Sequence, residues 1–310
     1  TAASAMTTTA PPTTTTAAPT TTATPATSLE ELGYPVSDEW VVETIVAGLD
    51  SATGGLAVGP DGTLYQADFG YSGHPGDRLY VISPDGSTVE TLVQSDEMAS
   101  LTMTRLVDDG TIYQSSYGSN RLFRIDPTGS AEIVAADLGG PTGIVVNDDG
   151  SVFVESYNRN RIYRIAPDGE VVEFVSDARF NGPNGLDVGP DGTLYVADHR
   201  DGTIFAVTPE AEVNVLHRFP EETSHLVYLD GSLFVTSRGG YVVFRYDIET
   251  ADVEIIAGNA EPGDQDGRGS QASFGRPNAI AVGPDGALYT NHGEGNANDP
   301  VSIKRISHQP

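Results

Sequence analysis

One short sequence, GPDGTLYQAD (59–68), returns as DDGTIYQSSY (108–117), DDGSVFVESY (148–157), GPDGTLYVAD (189–198), LDGSLFVTSR (229–238) and GPDGALYTNH (283–292). The interval is about 40 residues, with a longer step before the last copy. A fixed period of this length signals a repeat architecture, in which each unit buries its apolar face against its neighbours. Within the unit, Pro60 pre-sets the turn, Asp61 accepts local backbone hydrogen bonds and Gly62 takes positive φ. The alternation in LYVAD then buries one face of a strand. An apolar strand such as GLAV (55–58) precedes the turn, and strands such as RLYVIS (78–83) and TVETLV (88–93) follow it. Four antiparallel strands per unit make a propeller blade, and six units predict an all-β, six-bladed β-propeller.

The last unit supplies only two further strand segments, ending in VSIKRIS (301–307), so its outer strand is missing. The segment WVVETIVAGL (40–49) has the fourth-strand pattern and is expected to complete that blade, closing the ring and removing open edges. Ahead of it, residues 1–28 are almost entirely Thr, Ala and Pro without a charge, a composition with too little apolar surface to fold. Residues 1–36 are thus expected to form a stalk or linker, with the propeller over 37–310. A stalk has its use outside the cell, which points to an exported bacterial protein tethered at or released from the cell surface.

The chain carries 44 acidic and 16 basic residues, a net charge of −28, and a single lysine, Lys304. Such a surface repels nucleic acid and anionic membranes. No apolar run is long enough for a membrane-spanning helix. There is no cysteine, which excludes disulfides, thiolate metal sites and cysteine nucleophiles. No G-x-S-x-G turn is present for serine catalysis.

The stretch AGNAEPGDQDGRGSQASFGRPNAIAVGPDGALY (257–289) resembles the spacer and innermost strand of NHL-repeat propellers. NGLDVGPDGTLYVAD (184–198) resembles the gluconolactonase-like, senescence-marker-protein-like propellers. The likeness spans residues 37–307 and implies the six-bladed fold. The fold hosts hydrolases, lyases and binding modules alike, so chemistry must be argued from the site.

Ligand sites of propellers lie at the axis, on the face carrying the starts of the innermost strands. Repeat alignment places Gly54, Thr102, Thr142, Asn184, Ser224 and Asn278 there, with His225 able to exchange with Ser224. It places Asp68, Glu155, Asp198, Arg238 and His292 at second-strand ends. The adjoining turns add Tyr71, His74, Tyr117, Tyr157, Arg159, His199, Arg200 and Glu294.

The gluconolactonase resemblance implies a calcium ion at the axis, with Asn184 and Asn278 as amide ligands and a lactone carbonyl as its target. The family's matching carboxylates are replaced here by Thr53-Gly54-Gly55 and Ser224-His225. Asp187, Glu155 and Asp198 are the carboxylates that could compensate, Asp187 first among them, and His225 is a further catalytic candidate. A zinc-dependent lyase would need several converging histidines, and only His225 is suitably placed. Pro-Asn-Gly and Pro-Asn-Ala are also ordinary turn sequences, in which Asn184 and Asn278 only cap backbone. Tyr71, Tyr117, Tyr157, Arg159, His199, Arg200, Arg238 and His292 instead suit a face that binds a small molecule, a glycan or a protein, Tyr and Arg being the residue types enriched at binding hot spots. A binding module is therefore the leading expectation, and a calcium-dependent lactonase-like hydrolase the alternative.

Overall fold

A computed structural model describes residues 28–71, 73–293 and 300–309 of the chain. Six antiparallel sheets stand around an axis, five of them four-stranded. The innermost strands of blades one to five are Thr53–Val58, Leu101–Leu106, Pro141–Val146, Pro183–Val188 and Thr223–Leu229, and that of blade six is Ile280–Val282. Trp40–Leu49 pairs antiparallel with Val301–His308, from Trp40 opposite His308 to Leu49 opposite Val301, and so supplies the outer strand of blade six. The two-residue strand Gly267–Arg268 adds a fifth strand outside it.

The turns form as their residues require. In blade four, Asp191 Oδ1 accepts the Thr193 N–H at 3.0 Å and Gly192 sits at φ +83°. Asp61, Asp109, Asp149 and Asp285 make the same bond in their own blades. The apolar side chains gather between the blades. Leu226, Val235 and Phe244 of blade five, for instance, pack on Ala197, Ile204 and Phe219 of blade four.

At ring closure, the fully buried Lys304 lies 2.8 Å from both Asp264 and Asp266, and its ammonium also donates to Thr44 Oγ1. This joins the last strand, the N-terminal strand and the glycine-rich spacer at one point.

Residues 28–36, read from sequence as part of the stalk, are folded. Ser28 caps the helix Leu29–Leu32, and Leu29, Leu32 and Tyr34 fill the interface of blades four and five. Tyr34 packs edge-on against Phe219 and Phe244, and its hydroxyl meets His217 Nε2 at 2.8 Å. Residues 1–27 lie outside the described residues. No helix among the described residues is long and apolar enough to cross a membrane.

Candidate functional site

At one end of the axis lies a cavity of about 480 Å³. Its floor is made by the starts of the innermost strands, Gly54, Thr102, Thr142, Asn184, Ser224 and Asn278, with His225 beside Ser224. Its rim is made by the residue that follows each second strand: Phe69, Tyr117, Tyr157, His199, Arg238 and Gly293. Arg276 completes the wall.

Hydrogen bonds fix the floor. Asn278 Oδ1 accepts from Arg238 Nη1 and Ser224 Oγ, both at 2.8 Å, while its Nδ2 donates to the Thr53 and Gly54 carbonyls. Asn184 Nδ2 donates to Ser224 Oγ at 3.1 Å. Thr102 and Thr142 donate their hydroxyls to the Pro141 and Pro183 carbonyls of the next blades. This donor set does not fit calcium, which takes six to eight oxygens and normally carboxylate charge. The Asn278 carbonyl oxygen is already held by a guanidinium, and no Asp or Glu is among the described residues of the wall. No group of three or more His, Asp or Glu side chains that could hold a metal ion is present among the described residues. Glu294 lies outside them.

The electrostatics are cationic. Burial, then Arg276, lowers Arg238 to about 10, so its guanidinium stays charged at neutral pH, with Glu222 opposing the shift. Burial, then Arg238, pushes His225 down to about 3, and the same two causes bring His199 to about 3. Both imidazoles are neutral. His225 Nδ1 and Arg276 Nε are buried without a protein partner. Arg276 Nη2 reaches Glu222 Oε2 at 3.3 Å. Tyr157 joins the rim residues to each other: its hydroxyl meets His199 Nδ1 at 2.9 Å, and Arg200 lies over its ring at 4.9 Å.

Several expected site residues lie elsewhere. Asp187 opens on a second cavity of about 280 Å³ formed by the far ends of the innermost strands, where it pairs with Arg105 at 3.1 Å and accepts the Tyr228 N–H. It stands three residues along the strand from Asn184, about 10 Å at some 3.3 Å per residue, too far to complete a ligand set there. Asp198 and His292 belong to a series that ties each blade to its own loop. Asp68 accepts the Ala52 N–H, Ser116 the Ala99 N–H, Asp198 the Asn181 N–H and His292 the Gly275 N–H. Burial, then Asp201, raises Asp198 to about 7, but the residue points away from the cavity wall. Arg159 is paired with Asp137 at 2.6 Å, and Tyr71 is bonded to Asp50 with its ring tilted against that of His74. Neither lines the cavity. Phe69 and Arg276 were not anticipated. Phe69 becomes visible when the six second strands are aligned in one register.

Glu155 belongs to another series, in which one side chain staples two blades. Ser115 Oγ accepts the Met103 N–H and donates to Thr142 O, and Thr236 Oγ1 accepts the His225 N–H and donates to Asn278 O. Asn291 accepts the Ala279 N–H and donates to Gly54 O. Glu155 accepts the equivalent Gly143 N–H at 3.1 Å, while its Oε1 is buried without a donor. Burial, then Asp198, raises its carboxyl well above the ordinary range. The raised pKa favours its protonated form, and the repeat position that sets the Thr142, Asn278 and Gly54 carbonyls as acceptors elsewhere corresponds in this blade to the Asn184 carbonyl.

Solved structures share this architecture at low identity. An auxiliary nutrient binding protein of Bacteroides ovatus is 14% identical, with a TM-score of 0.68 over 88% of this chain and 77% of its own. A gluconolactonase of Xanthomonas campestris is 18% identical, with a TM-score of 0.66 over 86% of this chain and 89% of its own. A catalytically inactive histidine-to-alanine variant of Staphylococcus aureus virginiamycin B lyase, solved with quinupristin, is 15% identical, with a TM-score of 0.60 over 86% and 99%. At these identities the likeness establishes the fold. No curated protein sequence matches the chain. The sequence model of the virginiamycin B lyase family matches residues 40–236, stopping before Arg238, Arg276 and Asn278. With more than half of its length matched, the chain belongs to the virginiamycin B lyase family.

Proposed function

We propose that the axial cavity binds a small organic anion, and that the protein is a ligand-binding module displayed outside the cell. The observation that carries the reading is the pair Arg238 and Arg276 in one partly enclosed cavity, with Arg276 Nε lacking an acceptor. Within a protein of net charge −28, a wall with two guanidiniums and no described carboxylate is a local reversal of sign. A carboxylate fits it, since guanidinium donors pair with carboxylate oxygens in a planar fork. The Thr/Ala/Pro composition of residues 1–27 supports a stalk, and the Bacteroides ovatus binding protein supports a nutrient-capture role.

The family name and the quinupristin-bound relative suggest elimination as a second reading, and His225 Nδ1 favours it. There, an imidazole would take a proton from the carbon next to a carbonyl, and Arg238 would hold the developing oxyanion while the leaving group departs. With its imidazolium pKa near 3, His225 is a weak base at pH 7, far from the matched value that efficient proton transfer needs. Binding is therefore the favoured function.

Thermal unfolding with acetate and benzoate tests it, because a ligand of the native state raises Tm with concentration. The expected result is a rise that disappears in an Arg238→Met, Arg276→Met double variant. No rise with either anion would refute the binding reading. So would turnover of quinupristin by the wild type that a His225→Ala variant lacks.

A further inference from the structure

The cavity wall has two unlike sides. On blades one to three the rim is a run of rings, with Phe69 and Tyr117 centroids 6.2 Å apart and Tyr117 and Tyr157 centroids 5.9 Å apart. Phe69 remains 38% exposed, an unusual state for an apolar ring at the mouth of a cavity. The tyrosine hydroxyls are engaged with other side chains, Tyr117 with Asn158 and Tyr157 with His199 and Arg200. That leaves ring carbon as their offering to a ligand. On blades five and six the wall is Arg238 and Arg276. In a ring of six blades, the second faces the fifth across the axis and the third faces the sixth. Tyr117 and Tyr157 thus stand across the cavity from the two guanidiniums.

We propose that the ligand is an aromatic carboxylate, its ring on the Phe69–Tyr117–Tyr157 arc and its carboxylate on Arg238 and Arg276. This rests on the anion-binding reading above and adds the ring. A planar body is favoured because aromatic walls hold rings in offset or edge-on contact beyond what area burial alone supplies. A cavity of about 480 Å³ lies within the range of small-molecule sites and leaves room for a ring system larger than benzene. Neutral His225 on the floor and neutral His199 on the rim add no competing charge.

The test is calorimetric titration of the full chain with acetate, benzoate, 2-naphthoate and benzyl alcohol. Benzoate and 2-naphthoate are expected to bind at least about tenfold more tightly than acetate, the scale of one or two ring contacts. Benzyl alcohol, which keeps the ring and lacks the charge, is expected to bind at least about tenfold more weakly than benzoate. Phe69→Ala combined with Tyr117→Leu should bring the affinity for benzoate down to that for acetate. Acetate and benzoate of equal affinity in the wild type would overturn the aromatic assignment and leave the anion reading standing. Benzyl alcohol equal to benzoate would overturn the carboxylate assignment and the anion reading together. Binding of none of the four would overturn both.

Discussion

Glu155→Gln tests the blade staple. Glutamine keeps the side-chain length and an oxygen for the Gly143 N–H, and it puts an uncharged amide donor at the position that the repeat sets opposite the Asn184 carbonyl. Asn291 already makes this staple with an amide in blade six, donating to Gly54 O and accepting from the Ala279 N–H. The folded pKa of Glu155 is raised above the unfolded value of about 4.5, so folding takes up a proton at any pH between the two. Below pH 4.5 both states carry that proton, and the variant and the wild type should be equally stable. Above it, wild-type stability falls by about 1.4 kcal/mol per pH unit for as long as the folded acid stays neutral. The difference therefore grows in favour of Gln at up to that slope as the pH rises from 4.5 towards the folded pKa. At about 2–4 °C per kcal/mol for a domain of this order of size, each such pH unit should raise the Tm of the variant over wild type by roughly 3–6 °C.

The assay is thermal and urea unfolding from pH 4 to pH 8. Asp198 titrates near 7 in the folded protein, with Asp201 beside it, so the comparison is also run in an Asp198→Asn background. Glu155→Leu serves as the control. It strands the buried Gly143 N–H and should cost about 1–3 kcal/mol at every pH. A difference between Gln and wild type that does not change with pH, or a Gln variant less stable at pH 7, would show that Glu155 is ionised and that the staple is made otherwise.

Lys304→Met removes the cation from between Asp264 and Asp266 and should destabilise the ring by about 3–5 kcal/mol, read as a lower urea midpoint; an unchanged midpoint would refute the closure role. The Asp264 carboxyl is held far below the ordinary range by hydrogen bonds and charge from His292 and Lys304, which outweigh its burial. Its contribution is therefore present above the unfolded pKa and lost as the pH falls, and the gap between wild type and Asp264→Asn should close in strong acid. Calcium and EDTA should leave Tm unchanged, because the Asn278 oxygen is held by Arg238 and Ser224; a calcium-dependent rise would refute that donor analysis. Association of benzoate should accelerate as salt rises from about 10 to 150 mM, since the Debye length contracts from about 30 to 8 Å and screens the net −28 charge. Slower association in salt would mean that the local arginines govern the approach.

The fold was legible because its determinants are local and repeated. The Asp-Gly turns of blades one to four and six have the side-chain acceptor and the positive φ that the sequence advertises, and the alternation after them leaves one choice of buried face. Ring closure was legible because Trp40–Leu49 has the outer-strand pattern and no partner within its own stretch of chain. The docking of residues 28–36 was not. Leu29, Leu32 and Tyr34 are too few to form a periodic pattern, and their partners lie about 200 residues away.

The candidate site was legible at its floor and blurred at its rim, for a reason of register. Along a strand the side chains alternate, so a slip of one residue exchanges what faces the axis for what faces the next blade. Grouping Glu155, Asp198, Arg238 and His292 at one position mixes three layers of the propeller. Glu155 holds the Gly143 N–H of its own innermost strand, Asp198 and His292 fasten loops of their own blades, and Arg238 alone of the four reaches the cavity. Once the layers are separated, the acidic side chains withdraw into structural work and the layer that reaches the ligand reads Phe69, Tyr117, Tyr157, His199, Arg238, Gly293. The metal expectation drew on Glu155 and Asp198 from the two buried layers and on Asp187 from the far end of its strand. The layer that faces the cavity contains rings, an imidazole and a guanidinium, and that composition selects an anion with an apolar body.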